Sequence, residues 1–223
     1  MPESAHDNQQ EAAYRQLRRD IVLLALDPGQ RLVMGELCDQ LGIGRTPVRG
    51  ALQQLQKEGL IKTIPQSGTY VTKIDMTAAE NARFMRETVE KEVASECAAL
   101  ARPADLARID QIIELQQVAL ETREFGDFFV SDNLMHQAFF EVAGRLDAWR
   151  WLNIANADLE RYRLMRVRSS SLDWHTIIDQ HRELRDAIGR HDTTETRFIT
   201  SLHLHMMLDE APRVVRQHPE YFA

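Results

Sequence analysis

The sequence predicts a mainly α-helical protein. It comprises an N-terminal winged helix-turn-helix with a small β-hairpin wing and a C-terminal all-helical bundle. Apolar residues recur at the three- and four-residue spacing of amphipathic helices along nearly the whole chain. Runs of β-prone residues are confined to residues 60–73, directly after a pair of short helices. A chain of 223 residues can form two small domains, which we expect at 8–73 and 77–217.

Turns divide the N-terminal region into three predicted helices. Apolar side chains recur at helical spacing over residues 8–26, and the Asp-Pro-Gly run at 27–29 indicates a turn. A short helix is predicted at 34–41, ended by Gly42, and another at 45–59. Two short helices joined by a tight glycine-containing turn form a helix-turn-helix unit.

The helix predicted at 45–59 begins with cationic and hydroxyl side chains. Arg45, Thr46 and Arg49 lie near its start, and its apolar residues share one face. Pro47 costs little there, because its missing N–H would have no helical partner in the first turn. Such a helix N-terminus is suited to approach a phosphate backbone and a major groove. We therefore predict a DNA recognition helix.

Two β-prone runs follow, at 60–64 and 69–73, on either side of a Pro/Gly turn. They predict a hairpin, which in this position forms a wing. Its tip contains Gln66 and Gly68 and is small and polar, so we expect it to reach a minor groove or phosphates.

From residue 77 onward, strand patterns nearly vanish and a capping-box pattern at 77–80 predicts the start of a new helix. Prolines, glycines and serines mark the breaks between the later helices. We predict helices at 77–101, 103–123, 126–143, 146–168, 173–189 and 192–216, with the run Ser169-Ser170-Ser171 as one of the breaks.

The net charge of −7 is unevenly distributed. Residues 1–73 carry nine Lys/Arg and eight Asp/Glu, whereas the remaining residues carry 18 and 26. An acidic body joined to a near-neutral, locally basic segment is compatible with DNA binding.

The polar N-terminus lacks the features of a signal peptide, and Cys38 and Cys97 are expected to be buried reduced thiols. No apolar run approaches the roughly 20 residues of a membrane helix, so we expect a cytoplasmic protein without membrane contact.

Four potential metal ligands are distributed over the second domain. Asp132 and His136 lie four residues apart and share a helix face, while His181 and His203 lie on later helices. One carboxylate and three imidazoles can converge on a divalent first-row metal. The alternatives are a surface ion pair and histidines satisfied within the core. His205 competes with His203, but the two point roughly 200° apart around the helix, and we choose His203.

Several N-terminal motifs occur together in one order. They are Leu26-Asp27-Pro28-Gly29-Gln30-Arg31-Leu32, Glu36-Leu37, Arg45-Thr46-Pro47-Val48-Arg49, Ala51-Leu52, Leu55, Glu58-Gly59-Leu60 and Gly68-Thr69-Tyr70-Val71. Over roughly residues 10–73 this pattern resembles the winged helix-turn-helix of GntR-family transcription regulators. The second domain resembles the metal-binding C-terminal effector domain, of FCD type, in the FadR-like branch of that family.

The resemblance implies that Arg45, Thr46, Arg49 and Gly68 contact DNA, and Gln66 joins them as part of the wing tip. The arginines and the tip would reach the grooves or the phosphates.

Two positions depart from the family pattern. Gly44 replaces the usual Ser before the Arg-Thr-Pro run, and Gly50 replaces the usual Glu after the second Arg. Losing the side-chain cap costs a few tenths of a kcal/mol, and a glycine inside a helix costs about 1 kcal/mol relative to alanine. We expect the base preferences to differ from those of the family.

The resemblance also strengthens the expectation of a metal. The branch carries an Asp-x-x-x-His pair, a His between Glu/Gln and Arg, and a last His before Leu. Asp132, His136, His181 and His203 match these positions. Zinc is expected first, with nickel and manganese as alternatives. In this branch, small organic acids bind beside the metal.

Cationic side chains should hold the carboxylate of such an acid, because arginine pairs with carboxylates in a bidentate fork. Arg86 matches an Arg-x-x-x-Glu segment of the branch's first effector helix, but an i,i+4 salt bridge to Glu90 explains it equally well. Arg163 is the second candidate, with Arg161 as a weaker one. Arg145 stands where the family often has Asn.

These features predict a ligand-responsive transcription regulator, a repressor rather than an activator. It would act as a homodimer on a palindromic double-stranded operator and sense a small carboxylate. One alternative is a metal-dependent hydrolase fused to a DNA-binding domain, although a His-Glu-x-x-His segment and an obvious general base are missing. In another, the metal is purely structural or is itself the signal.

Overall fold

The computed structural model describes residues 5–168 and 174–223. The chain divides into two compact units. One unit ends at Met76 and also includes Val215–Ala223, and the other is Thr77–Val214. The predicted break at 169–171 and the predicted helix start at residue 173 lie outside the described residues.

The first unit has the mixed composition that the sequence predicts. Its elements are α1 Ala5–Val22, β1 Arg31–Leu32, α2 Met34–Leu41, α3 Arg45–Lys57, β2 Ile61–Ile64 and β3 Gly68–Val71. The predicted β2–β3 hairpin pairs Ile61 with Val71 and Ile64 with Gly68. It is part of an antiparallel sheet in the order β1-β3-β2, in which Arg31 pairs with Tyr70. β1 was not predicted, because two residues are too short to show an alternating pattern.

α1 and α3 form the centre of this unit. Leu17 and Ile21 from α1, and Val48 and Leu55 from α3, are 0–1% exposed. α1 ends at Val22, before the predicted limit of residue 26, and Leu24 adopts the left-handed conformation with φ of 55°. Apolar residues at helical spacing thus fix the position of α3 and leave its polar face outward.

The second unit is helical throughout its described residues. Its elements are α4 Met76–Leu100, α5 Pro103–Thr122, α6 Phe125–Val142, α7 Leu146–Ala155, α8 Ala157–Arg168, α9 Trp174–Gly189 and α10 Thr193–His205, followed by a 3-10 turn at Met206–Leu208. α11 spans Ala211–Gln217 and thus continues into the C-terminal residues of the first unit, where a second 3-10 turn spans Pro219–Tyr221. No helix in the described part of the chain is long and apolar enough to cross a membrane.

Two of the predicted helices are each divided in the structure. The helix predicted at 146–168 breaks at Asn156, whose φ of −91° and ψ of 5° depart from helical backbone geometry. The helix predicted at 192–216 ends at His205 and resumes at Ala211. Pro212 explains this second break, because proline lacks an N–H and its ring clashes with the carbonyl four residues earlier.

The core of the helical unit packs α6 and α9 against α5. Phe128 and Trp174 lie with their ring centroids 4.7 Å apart, and Phe139, Ile178 and Leu184 are fully buried beside them. This packing holds α6 and α9 with the faces that carry Asp132, His136 and His181 turned inward, since these three residues are also buried.

Candidate metal centre and nucleic-acid interface

Four side chains from three helices meet inside the helical unit. Asp132 and His136 come from α6, His181 from α9 and His203 from α10, and all four are buried. One ligand atom from each residue lies within 4.8 Å of the others. The Nε2 atom of His181 is 3.5 Å from Asp132 Oδ1, and that of His136 is 3.7 Å from Asp132 Oδ2. The side chains surround a space of the size that one cation needs.

Each of the three histidines has a hydrogen-bond partner at Nδ1, on the side of the ring away from the cluster. The Nδ1 atoms of His136, His181 and His203 pair with Glu90 Oε1, with Gln116 Oε1 at 2.7 Å and with Gln180 Oε1 at 2.8 Å, respectively. A carboxylate or amide oxygen accepts a hydrogen bond, so Nδ1 is the nitrogen that carries the hydrogen and Nε2 has a lone pair. This is the tautomer in which Nε2 can bind a metal.

The inward-facing Nε2 atoms of His136, His181 and His203 are buried and have no hydrogen-bond partner among the described residues. Burying a polar atom without a partner is costly, and native proteins do so rarely. Three such atoms facing one carboxylate are accounted for by a cation at their centre. The residues present therefore fit a divalent metal.

Electrostatics keeps this ligand set in the form that binds a metal. Burial lowers the pKa of His181 to about 3 and lowers that of His203 well below its ordinary value, so both imidazoles are neutral. Burial alone would raise the pKa of Asp132. The positive charge of Arg163 outweighs that effect and holds this pKa well below its usual range.

A network of buried ion pairs surrounds the cluster. Arg163 contacts Asp132 and donates to Glu160 Oε1 at 2.7 Å. Arg86 donates to Glu90 Oε2 at 2.9 Å and lies 3.5 Å from Glu160 Oε1. Glu90 is thus held by a cation on one side and His136 on the other. These contacts lower its pKa to about 2 even though burial alone would raise it.

The two predicted ligand-binding arginines occupy different positions. Arg163 lines a cavity of about 20 Å³ together with Asp132 and His203. Arg86 is absent from the described lining and is fully buried in its ion pairs. A neighbouring cavity of about 90 Å³ shares His203 and Arg166 with the first.

Three other histidine and arginine candidates lie outside the cluster. The side chain of His205 is 66% exposed and lies 3.5 Å from Glu87. Arg161 pairs with Asp158 at 2.5 Å. Arg145 forms a two-point pair with Glu96, at 2.9 and 3.0 Å, on the surface.

Sequence reasoning missed the residues that orient the imidazoles. Gln116 and Gln180 were not singled out, and Glu90 was considered only as the partner of Arg86. Gln180 precedes His181 yet bonds to His203, 23 residues away, so spacing gives no indication of the pair. Only the packing of α9 against α10 brings them together.

On the first unit, the predicted recognition residues are exposed. Arg45, Thr46 and Arg49 lie in the first turns of α3 with their side chains outward, while Val48 is completely buried. Gly44 caps the helix without a side-chain hydrogen bond, leaving N–H groups at this end available.

The wing tip contains a further cation. Gln66 is exposed with a left-handed φ of 63°, and Gly68 has a φ of 143° that favours glycine. A Cβ atom at Gly68 would lie 3.0 Å from Nε of Arg31, so this guanidinium lies over the tip. Arg31 is exposed on β1 and was not singled out in the sequence. It was missed because the pairing of β1 with the wing was not predicted.

Gly50 allows a close approach of α1 to α3. A Cβ atom at this position would lie 2.1 Å from Oε1 and 2.4 Å from Cδ of Gln10. The Gln10 side chain therefore occupies the space that any larger residue at position 50 would need. Gly50, where the family usually has Glu, is thus accompanied by a Gln10 side chain on α1 that fills the space.

Comparison with known proteins assigns both units. Residues 9–71 match the model of bacterial regulatory proteins of the gntR family, and residues 82–206 match the FCD domain. The HTH-type transcriptional repressor RspR of Escherichia coli K12 is 30% identical over 210 residues, covering 94% of this chain and 92% of that protein. An HTH-type transcriptional regulator from an unstable DNA locus of Streptomyces ambofaciens is 30% identical and covers 94% and 88%.

Solved structures share the fold. E. coli McbR/YncC has a TM-score of 0.81 at 19% identity, covering 94% of this chain and 98% of that one. A GntR regulator from Rhodococcus has a TM-score of 0.72 at 19% identity and the same coverage. The fold of both units and these matches agree with the resemblance to the GntR family that the sequence shows. The chain belongs to the GntR family of transcription regulators, in the branch whose C-terminal domain is of FCD type.

Proposed function

We propose that this regulator holds a divalent metal in its helical domain, and that a small carboxylate bound beside the metal changes operator affinity. Asp132, His136, His181 and His203 would be the metal ligands. The observation that carries the proposal is the set of three buried Nε2 atoms, which face one carboxylate and have no partner among the described residues. Zinc suits three imidazoles and one carboxylate, and nickel or manganese are the alternatives to test.

The charge of the buried cluster favours an anionic effector. Arg86 and Arg163 contribute two positive charges, and Glu90, Asp132 and Glu160 contribute three negative ones. The cluster is therefore −1 with neutral histidines and +1 with a divalent cation. A monocarboxylate would restore neutrality in an environment where uncompensated charge is costly. A divalent cation would supply a Lewis-acidic centre for one carboxylate oxygen.

Cavity size favours a small acid. The two neighbouring spaces measure about 20 and 90 Å³. Both are well below the roughly 300–1,000 Å³ of sites for drug-sized ligands. Arg163 lines the smaller cavity and Arg166 lines both, so a cation is available to orient the carboxylate. Arg86 is not among the residues that line these cavities, and its role would be to hold the Glu90 carboxylate in place.

For the DNA-binding part, we propose that residues 8–73 form the operator-reading domain and residues 77–217 the effector and dimerisation domain. Arg45, Thr46 and Arg49 would approach the major groove, with Gln66 and Gly68 at the minor groove or phosphates. Two such domains in a homodimer would read the halves of a palindromic operator.

Exposed apolar side chains support self-association. Phe198 and Leu202 lie one turn apart on α10 and are 67% and 45% exposed, and Phe84 on α4 is 65% exposed. Contiguous apolar patches on a surface often mark an interface. Replacing Phe198 with glutamate should convert a dimer to a monomer in sedimentation measurements. An unchanged molecular mass would exclude this surface.

We propose repression, with release when the acid binds, because RspR is named a repressor. The hydrolase alternative gains no support from the similar proteins, which are named as transcription regulators.

The test uses the metal-loaded protein, thermal denaturation and a panel of small mono- and dicarboxylates. An effector should raise Tm and change affinity for an operator fragment selected in vitro, and chelation should abolish both effects. If every acid leaves Tm unchanged, the sensor proposal fails. Stabilisation that survives chelation assigns the metal a purely structural role. An operator response to metal alone makes the metal the signal.

Unchanged metal content in His136→Ala and His203→Ala would contradict the ligand assignment.

A further inference from the structure

The last residues of the chain pack against the first unit. Phe222 forms a parallel β-bridge with Ile74, the residue that follows the wing. The Ile74 N–H donates to the carbonyl of Tyr221 at 2.9 Å, and the Ala223 N–H donates to the carbonyl of Ile74 at 3.0 Å. Ile74 is completely buried and Phe222 is 6% exposed. The contact is therefore a paired and packed one.

A second contact fixes the same segment. The hydroxyl of Tyr221 donates to Oδ1 of Asp27 at 3.0 Å. Asp27 begins the turn that leads from α1 to β1. The segment is thus attached at two places of the first unit, one before α2 and one after β3. These are the two ends of the helix-turn-helix and wing.

The residue directly before this segment, Glu210, lies at the cavity of the helical unit. Glu210, the residue before α11, accepts from Arg166 Nε at 2.5 Å and from Nη2 at 3.2 Å. Arg166 and Glu210 both line the 90 Å³ cavity, beside His203. α11 then carries the chain out of the helical unit, which ends at Val214. Ten residues, 211–220, separate Glu210 at the cavity wall from Tyr221, the first residue that contacts Asp27 and Ile74.

We propose that residues 211–223, the C-terminal strap, transmit the state of the effector cavity to the DNA-binding unit. The proposal rests on the proposed binding of an anion in that cavity. An anionic ligand would compete with Glu210 for Arg166 and repel the Glu210 carboxylate, so α11 would have different favoured positions in the free and bound states. A switch needs such a difference in affinity between two states. The strap would carry this change to Ile74 and Asp27 and would thus act in addition to the linker at residues 72–76.

A segment that merely covers Ile74 would behave differently. It would add stability without linking the cavity to operator binding. A double-mutant cycle separates the two roles, because coupling appears as non-additivity. Glu210→Gln frees Arg166 from its carboxylate partner and imitates the displaced state, whereas Phe222→Ala detaches the strap at its far end.

The measurement is the Kd of metal-loaded protein for an operator fragment selected in vitro with the wild-type protein. We expect Glu210→Gln to change this Kd at least fivefold, the lower end of typical coupling. In the Phe222→Ala background the same substitution should change it less than twofold. A deletion of residues 219–223 provides a second detached background. Equal effects of Glu210→Gln in all backgrounds, or no effect in the wild type, would overturn the proposal.

The matched control is Glu96→Gln, which also removes a carboxylate from a two-point arginine pair but lies on the surface with Arg145. It should leave operator Kd unchanged in every background. Tm shifts with the acid panel report separately on the proposed function. If no acid stabilises the wild type, the sensor proposal fails while the cycle still tests the strap. Hydrogen exchange at the Ile74 amide should accelerate in Glu210→Gln, and unchanged protection there would also count against the strap.

Discussion

The two units of this regulator differ in where they place polar side chains. Among the described residues, every buried polar or charged side chain lies between Arg86 and His203, inside the helical unit. The core of the DNA-binding unit is apolar, and its candidate DNA contacts Arg45, Thr46 and Arg49 are exposed. In one unit the candidate functional groups lie on the surface around an apolar core, whereas in the other they form part of the core.

This difference has a consequence for mutation. Surface contacts can be removed without uncovering a buried partner, so function and stability should separate in the DNA-binding unit. Buried ion pairs and ligands leave an uncompensated charge when one member is removed. Function and stability should therefore be lost together in the helical unit.

Metal removal should have the largest effect, and only on the helical unit. A ligand present at a thousand times its Kd stabilises the native state by about 4 kcal/mol. At roughly 2–4 °C per kcal/mol for a chain of this size, chelation should lower the Tm of this unit by about 10 °C. Calorimetry with and without chelator would measure the shift. An equal shift in a transition assigned to the DNA-binding unit would contradict the contrast.

Replacing Arg86 with methionine should have the next largest effect. It leaves Glu90 and Glu160 buried without one of their cations, and breaking a buried pair in this way costs about 3 kcal/mol. Metal affinity should also fall about tenfold, because Glu90 orients His136. Urea denaturation and metal titration would measure both quantities.

A matched variant is Arg150→Met, whose pair with Asp147 has side chains 66% and 73% exposed. Its cost should be below about 1 kcal/mol. The same experiment decides between the two sequence-based interpretations of Arg86. If Arg86 binds the effector directly, its replacement should abolish stabilisation by acids while leaving the stability of the free protein nearly unchanged.

The sequence predicted most of the fold, because its signals are local. The spacing of apolar residues in α3 and the glycines on either side of it predict where this helix begins and ends to within a few residues. The breaks at Asn156 and Pro212 were missed for different reasons. Pro212 was not considered, because the apolar residues around it recur at helical spacing, whereas a single Asn carries little information about a break. β1 depends on pairing with β3, which is a tertiary contact.

The candidate sites show the same limit. Asp132 and His136 are recognisable together, because four residues place them on one helix face. His181 and His203 were candidates from residue type alone, the family resemblance strengthened that expectation, and the structure brings them beside that pair. Their supporting residues Gln116 and Gln180 have no local signature, since these bonds form only when helices pack. The roles of all these residues remain predictions.

In the DNA-binding unit, Arg49→Ala should lower operator affinity by about 1–3 kcal/mol, roughly 5- to 150-fold, and reduce the salt slope by about one. Its stability should change by less than about 0.5 kcal/mol, because Arg49 is exposed. Arg150→Ala removes the same charge from the other unit and should leave operator affinity unchanged. Loss of stability together with affinity would show that the separation of roles does not hold here.

The smallest effect concerns Gly50 and Gln10. Alanine in place of an interior helical glycine gains about 1 kcal/mol, but at Gly50 its Cβ would lie 2.1 Å from Gln10 Oε1. Gln10 must move, so Gly50→Ala alone should change stability by only a few tenths of a kcal/mol. In a Gln10→Ala background the same change should recover most of the gain. Denaturation of the four variants would measure this, and additive effects would contradict it.

In vitro operator selection on the same variants should show altered base preference wherever Gln10 is displaced, because Gly50 lies one turn after Thr46 on the helix proposed to read the operator.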